Sequence, residues 1–149
     1  MKTILVPVDF SDVSDKVIDT AAALAQAFGS SVILVHVEEP EPQFVGYEPG
    51  PLSVRVAVAG DIQANLRRLE VLKGRFGVES TLALTVQGSI PDEILALARE
   101  HQVTLIVIGS HGHGALYHLL AGSVTTAILK DAPCPVLVVP TEHRKDEGE

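Results

Sequence analysis

The residues best suited to chemistry lie in two short clusters, Gly109-Ser110-His111-Gly112-His113-Gly114-Ala115 and Gly122-Ser123-Val124. Glycine lets a backbone approach an anion closely and adopt positive φ. Where such a loop leads into a helix, the first N–H groups point outward and the helix dipole favours negative charge. Ser123 adds a hydroxyl at the same point. The clusters could therefore cradle a phosphate with backbone amides alone. The same glycines could equally serve as turn formers, with Gly122-Ser123 as a helix cap. Placement favours the anion reading, because Gly109 closes a strand that should be central and Gly122 opens the last helix.

Several other phosphate and catalytic motifs are missing. No glycine is followed by lysine, so there is no P-loop lysine. The first strand runs into Pro7-Val8-Asp9-Phe10-Ser11 without a glycine, which excludes the dinucleotide fingerprint. No G-x-S-x-G elbow supports a serine hydrolase. Asp9 ends the first strand on the same sheet edge. A carboxylate there repels phosphates, so its use would be as an acceptor for a base amino group or a ribose hydroxyl; a capping or turn role is compatible with that. His111, His113 and His118 raise the question of a metal, but no Cys, Asp or Glu lies in their loop to complete a tetrahedral set. A divalent cation such as Mg2+ bridging bound phosphates fits better. His36, inside an apolar strand, reads as a hydrogen-bonded core histidine. Cys134, between Pro133 and Pro135, reads as packing. Hydrolysis needs charge stabilisation at the γ-phosphate, and the loop holds no lysine or arginine, the cations being distant in sequence, as Lys130 is. Binding with slow or no turnover is the expectation.

The elements that would position these residues alternate. Short β-branched runs occur at Ile4–Val8, Val32–Val37, Thr81–Val86, Leu105–Ile108 and Val136–Val139. Ala- and Leu-rich stretches lie between them at Asp12–Phe28, about Val54–Phe76, Pro91–His101 and Ser123–Lys130. Such alternation predicts a parallel sheet with right-handed crossovers and helices on both faces. Ser11 or Asp12 can cap the first helix, and Gly29 can end it. Ile4–Val6, Val32–Val35 and Leu105–Ile108 are continuously apolar, as strands covered on both faces should be. The third alternates, with its threonines and Gln87 on one face, and is placed at an edge. The last is entered through prolines, which suit an edge, yet it is apolar on both faces. A second copy of the chain covering that edge is the economical answer. Glu38 to about Ser53 carries four prolines and should be a long loop leaving the carboxyl edge. The charged tail 142–149 reads as disordered, leaving one domain over 1–141.

Composition sets outer bounds. The chain has 149 residues, 46% apolar and 20% charged, which suits one folded domain and excludes general disorder. One cysteine rules out an intramolecular disulfide and fits a reducing compartment. The opening MKTILVPVD is too short an apolar run for a leader or a membrane span. A net charge of −8 argues against a nucleic-acid partner held by phosphate electrostatics.

The pattern Gly109-x2-Gly112-x9-Gly122-Ser123 resembles the nucleotide-binding signature of the universal stress protein family. The resemblance covers nearly the whole chain. Ile4–Ser11 is similar to the family's first strand, Leu34–Val37 to its second, and Gly88-Ser89-Ile90-Pro91 to the turn into its third helix. Leu105–Gly112 resembles its fourth strand and loop, and Ala132–Val139 its last strand. The resemblance implies an open five-stranded parallel sheet in the order 3-2-1-4-5, of the adenine nucleotide alpha hydrolase-like class. It also implies a homodimer paired through Val136–Val139, a cytoplasmic role in stress response, and ATP (or ADP or AMP) as ligand in the subgroup that keeps the glycines. Carried over by position, Pro7, Asp9 and Val37 would flank adenine and ribose, Ile108 and Gly109 would lie beneath the nucleotide, and Gly112, Gly122, Ser123 and Val124 would hold the phosphates. His113 joins the phosphate-facing set through its ring N–H. One departure is Thr104, where members usually have aspartate; it lies at the start of the fourth strand, far from the site, so binding should not change. The leading function is thus a dimeric, nucleotide-dependent regulatory module. A slow ATP hydrolase or phosphotransferase using His111 or His113 and a nucleotide-free dimeric adaptor are the competing readings.

Overall fold

A computed structural model describes residues 2–10, 14–39, 52–77, 80–110 and 122–140. In chain order these form β1 (Thr3–Pro7), α1 (Ser14–Phe28), β2 (Ser31–Glu38), α2 (Leu52–Lys73), β3 (Thr81–Gln87), α3 (Ile90–Glu100), β4 (Leu105–Gly109), α4 (Gly122–Asp131) and β5 (Val136–Val139). The strands make one parallel sheet in the order β3-β2-β1-β4-β5.

Alternation along the strands divides the core in two. Ile4, Val6, Val32, Leu34 and Val107 pack on one face with α1 and α2, through Ile18, Ala21, Leu69 and Phe76. Leu5, Ile33, Val35, Val37, Ile106 and Ile108 pack on the other with α3 and α4, through Ile94, Leu97 and Ile128. Ile4, Leu5 and Val6 are all fully buried, as the unbroken apolar run requires of a strand covered on both sides. Each side chain of that size contributes about 1.5–3 kcal/mol on burial.

Helix ends follow local chemistry. Gly29 takes φ +64°, and the Ser30 N–H bonds back to the Ala25 carbonyl, closing α1 with a left-handed residue. Pro91 sits in the first turn of α3, where its missing N–H costs nothing, with Asp92 and Glu93 beside it. α2 stops at Lys73, three residues before Phe76, which is reached through a turn and is fully buried. Arg75 in that turn pairs with Asp15 and Asp19, tying the end of α2 to α1.

β3 is an edge strand, as its alternation predicts. The face carrying its threonines lies beneath α2: Thr81 and Ala83 are buried while Leu82 is exposed. β5 is the opposite edge, apolar and partly uncovered, with Leu137 37% exposed. The expected caps Ser11 and Asp12 and most of the proline-rich segment and tail lie outside the described residues.

Candidate functional site

The chain turns from building the sheet in one direction to building it in the other between β1 and β4. Ligands bind at such a switch point, beyond the carboxyl ends of the strands. Here the ladder itself parts. β1 pairs with β2 up to Pro7–Val35, and β4 pairs with β5 up to Gly109–Val139. Between β1 and β4 the register covers Ile4–Leu105 and Leu5–Ile106. The residues supply a reason. The Val8 N–H bonds to Val35 on β2, so the preceding N–H would face β4. Pro7 has none, and the ladder loses its next donor.

Pro7, Val37 and Ile108 share the α3/α4 side of the sheet near its carboxyl edge, by strand alternation. Val37 and Ile108 are 8% and 6% exposed, so they form a floor more than a contact surface. Val124 packs against the same cluster from the first turn of α4. Gly109 ends β4, and the Ser110 N–H bonds to the Val139 carbonyl. Thr125 Oγ1 lies 3.4 Å from the Ser110 carbonyl, stitching α4 to the end of β4. Gly122 opens α4 as predicted, and Ser123 follows within it. Asp9 lies exposed just past β1. Gly112 and His113, with His111, Gly114 and His118, lie outside the described residues.

Two features escape sequence reasoning. The first is a cation. Lys130 sits in the last turn of α4, at the end away from Gly122. Lys16 is instead at the carboxyl edge, its ammonium donating to the Pro140 carbonyl at 2.9 Å, just beyond β5. The second is a polar cluster on the α1/α2 side. His36 Nδ1 lies 2.8 Å from the Val8 carbonyl oxygen, and Nε2 lies 3.0 Å from Glu38 Oε1. Asn65 on α2 donates to the same Oε1 at 2.9 Å. The Phe10 ring lies 4.7 Å from the His36 ring, centroid to centroid, and Arg68 stands over Phe10 at 4.0 Å. His36 is thus hydrogen-bonded, as a core histidine should be, but at a polar margin of the core. A strand places His36 and Glu38 on one face, which was legible. Their partners on α2 come from 27 residues away, and no local pattern names them.

Cys134 is half-buried against the α3/α4 core, and burial pushes its thiol above the ordinary range. That makes it a poor nucleophile and agrees with a packing role. Thr104 directly precedes β4 at the amino edge, far from the switch point.

The fold and crevice define an open α/β domain with a ligand-type switch point. Residues 1–140 match the universal stress protein family. The chain is 37% identical over 141 residues to the "Universal stress protein in QAH/OAS sulfhydrylase 3'region" of Thermus aquaticus, covering 93% of this chain and 98% of that one. Universal stress protein MJ0577 of Methanocaldococcus jannaschii superposes with TM-score 0.76 at 28% identity, covering 96% and 98% of the two chains. A universal stress protein crystallised in complex with cAMP superposes with TM-score 0.70 at 25% identity, covering 95% and 98%. The chain belongs to the universal stress protein family. Among the described residues, no helix is long and apolar enough to cross a membrane.

Proposed function

We propose that this protein binds an adenine nucleotide, ATP or in its place AMP or ADP, and acts as a dimeric, nucleotide-dependent regulatory module in the cytoplasmic stress response. The observation that carries this reading is the parting of β1 and β4, with Asp9 beyond one strand end, Gly109 at the other and the start of α4 at Gly122. In this reading adenosine lies over the Pro7–Val37–Ile108 floor with Asp9 as its acceptor. The phosphates take the amides of Gly112, Gly122, Ser123 and Val124, with His113 alongside and Mg2+ as counter-ion. The likeness to a protein crystallised with cAMP supports the adenine nucleotide class. The second copy pairs along β5, whose half-open apolar edge supports that partner. The sequence from Gly109 to Val124 holds no lysine or arginine, which supports slow or absent turnover.

Calorimetry with ATP tests the reading. Wild-type protein is expected to bind stoichiometrically, and Gly122→Val to lose at least about 10-fold in affinity as its side chain enters the phosphate space. Unchanged affinity in that variant removes the phosphate assignment. Steady ADP release by catalytic amounts of protein would instead establish the hydrolase.

A further inference from the structure

Asp9 stands between two residues that both touch His36: Val8 through its carbonyl and Phe10 through its ring. Phe10 is held at φ +62°, in the left-handed region that bulky side chains avoid. Holding it there costs about 1–2 kcal/mol, and its contacts with His36 and Arg68 offset that cost.

The hydrogen count at His36 decides what the cluster can do. The Val8 carbonyl only accepts, so Nδ1 must carry hydrogen to bond it. Glu38 Oε1 already accepts from Asn65, and an ionised carboxylate offers Nε2 nothing but another acceptor. Either Nε2 carries hydrogen too, or Glu38 does. In both cases the pair holds one proton more than a neutral ring and a carboxylate. We propose that His36 and Glu38 share this proton, that it fastens α2 to the carboxyl edge of the sheet through Asn65 and Phe10–Arg68, and that it makes nucleotide affinity beside Asp9 dependent on pH. The pH coupling rests on the nucleotide reading above; the shared proton does not.

Loss of the proton has a direction. The His36 side chain is 14% exposed and that of Glu38 34%. The Val8 residue is 4% exposed, so water cannot replace the bond to its carbonyl. The remaining ring hydrogen stays on Nδ1. Nε2 then turns a lone pair on Glu38, which moves to water and draws Asn65 and α2 away. The fastening is therefore present while the extra proton is bound and lost in alkaline solution. The other groups facing the pair, among the described residues, are few. β3 sets uncharged Thr85 and Gln87 in register with His36 and Glu38. β1 contributes Asp9, α2 contributes Arg68 over Phe10, and Glu39 follows β2. On α1, Asp15 and Asp19 are bound to Arg75, and Lys16 to Pro140.

Nuclear magnetic resonance of the full chain with nitrogen-15-labelled histidine, free of nucleotide, tests the shared proton from about pH 5 to about pH 9. His36→Gln assigns the resonances. The expected result is hydrogen on both ring nitrogens at the acid end and on Nδ1 alone at the alkaline end, with the change falling at lower pH in Glu38→Gln. A ring with a single hydrogen throughout, or a titration indifferent to Glu38→Gln, overturns the proposal. Calorimetry with ATP at both ends tests the coupling. Wild-type affinity is expected to fall about 5-fold or more on going alkaline, relative to Glu38→Gln measured in parallel, which cancels the ligand's own titration. Equal pH dependence in the two proteins overturns the coupling. ATP binding to neither protein at any pH overturns the nucleotide reading, while the histidine spectra still decide the shared proton.

Discussion

At the amino edge of the sheet one hydroxyl does the joining. Thr104 Oγ1 accepts from the Lys2 and Thr3 N–H groups at 3.0 and 3.1 Å and donates to the Thr3 carbonyl at 3.0 Å. The Ser31 and Ser80 hydroxyls meet at 3.0 Å nearby. These contacts join residues in or next to the strand starts. At the carboxyl edge of the same strands the pattern reverses. Phe10 is held left-handed, His36 and Glu38 meet through a proton they must share, and Thr85 Oγ1 is buried without a partner among the described residues. Each edge holds one non-glycine residue in the left-handed region, Gln102 and Phe10, but among the described residues only the carboxyl edge leaves a buried side-chain hydroxyl unmet. Such features persist where surrounding structure over-determines them, and they gather at functional sites. Thr104 both accepts and donates, so one side chain closes the amino edge.

Substitutions at three positions test this contrast. Thr104→Val deprives two backbone N–H groups and a carbonyl of one partner and should destabilise the protein by about 2 kcal/mol. ATP affinity should stay unchanged, since the proposed site lies at the opposite edge. Urea unfolding and calorimetry read the two effects, and a joint loss of both would erase the division between edges. Phe10→Ala and Phe10→Gly both lose the ring, but glycine adopts positive φ freely. The glycine variant should be more stable than the alanine variant by about 1 kcal/mol, the reverse of the usual order within a strand or helix. If urea midpoints rank alanine above glycine, Phe10 is not strained in solution. Thr85→Val replaces a buried hydroxyl by an isosteric methyl and should stabilise by about 1 kcal/mol or less. A lower melting temperature in that variant would mean the hydroxyl is engaged and the carboxyl edge better satisfied than described.

Much of this was legible in the residues. Unbroken apolar runs at Ile4–Val6, Val32–Val35 and Leu105–Ile108 announce strands buried on both faces, and these are the three central strands. The alternating run Thr81–Gln87 and the proline-entered run Val136–Val139 announce edges, and both are edges. Gly109 and Gly122 fall where predicted, at the end of β4 and the start of α4. The exceptions share a cause. No local pattern marks Lys16, whose place at the carboxyl edge depends on how α1 lies across β4 and β5. Nor does any mark Arg68 and Asn65, since α2 as a whole shows little apolar asymmetry to orient it.

Residue pattern by itself determined the class of fold and which strands are central and which lie at the edges, because burial on one or two faces and turn chemistry are local properties of the chain. Only the tertiary structure decided where β1 and β4 part, that Phe10 is left-handed, and that His36 meets Val8, Glu38 and Phe10 at once. Those outcomes depend on distances between groups far apart in the chain, which are set when both helical layers close on the sheet.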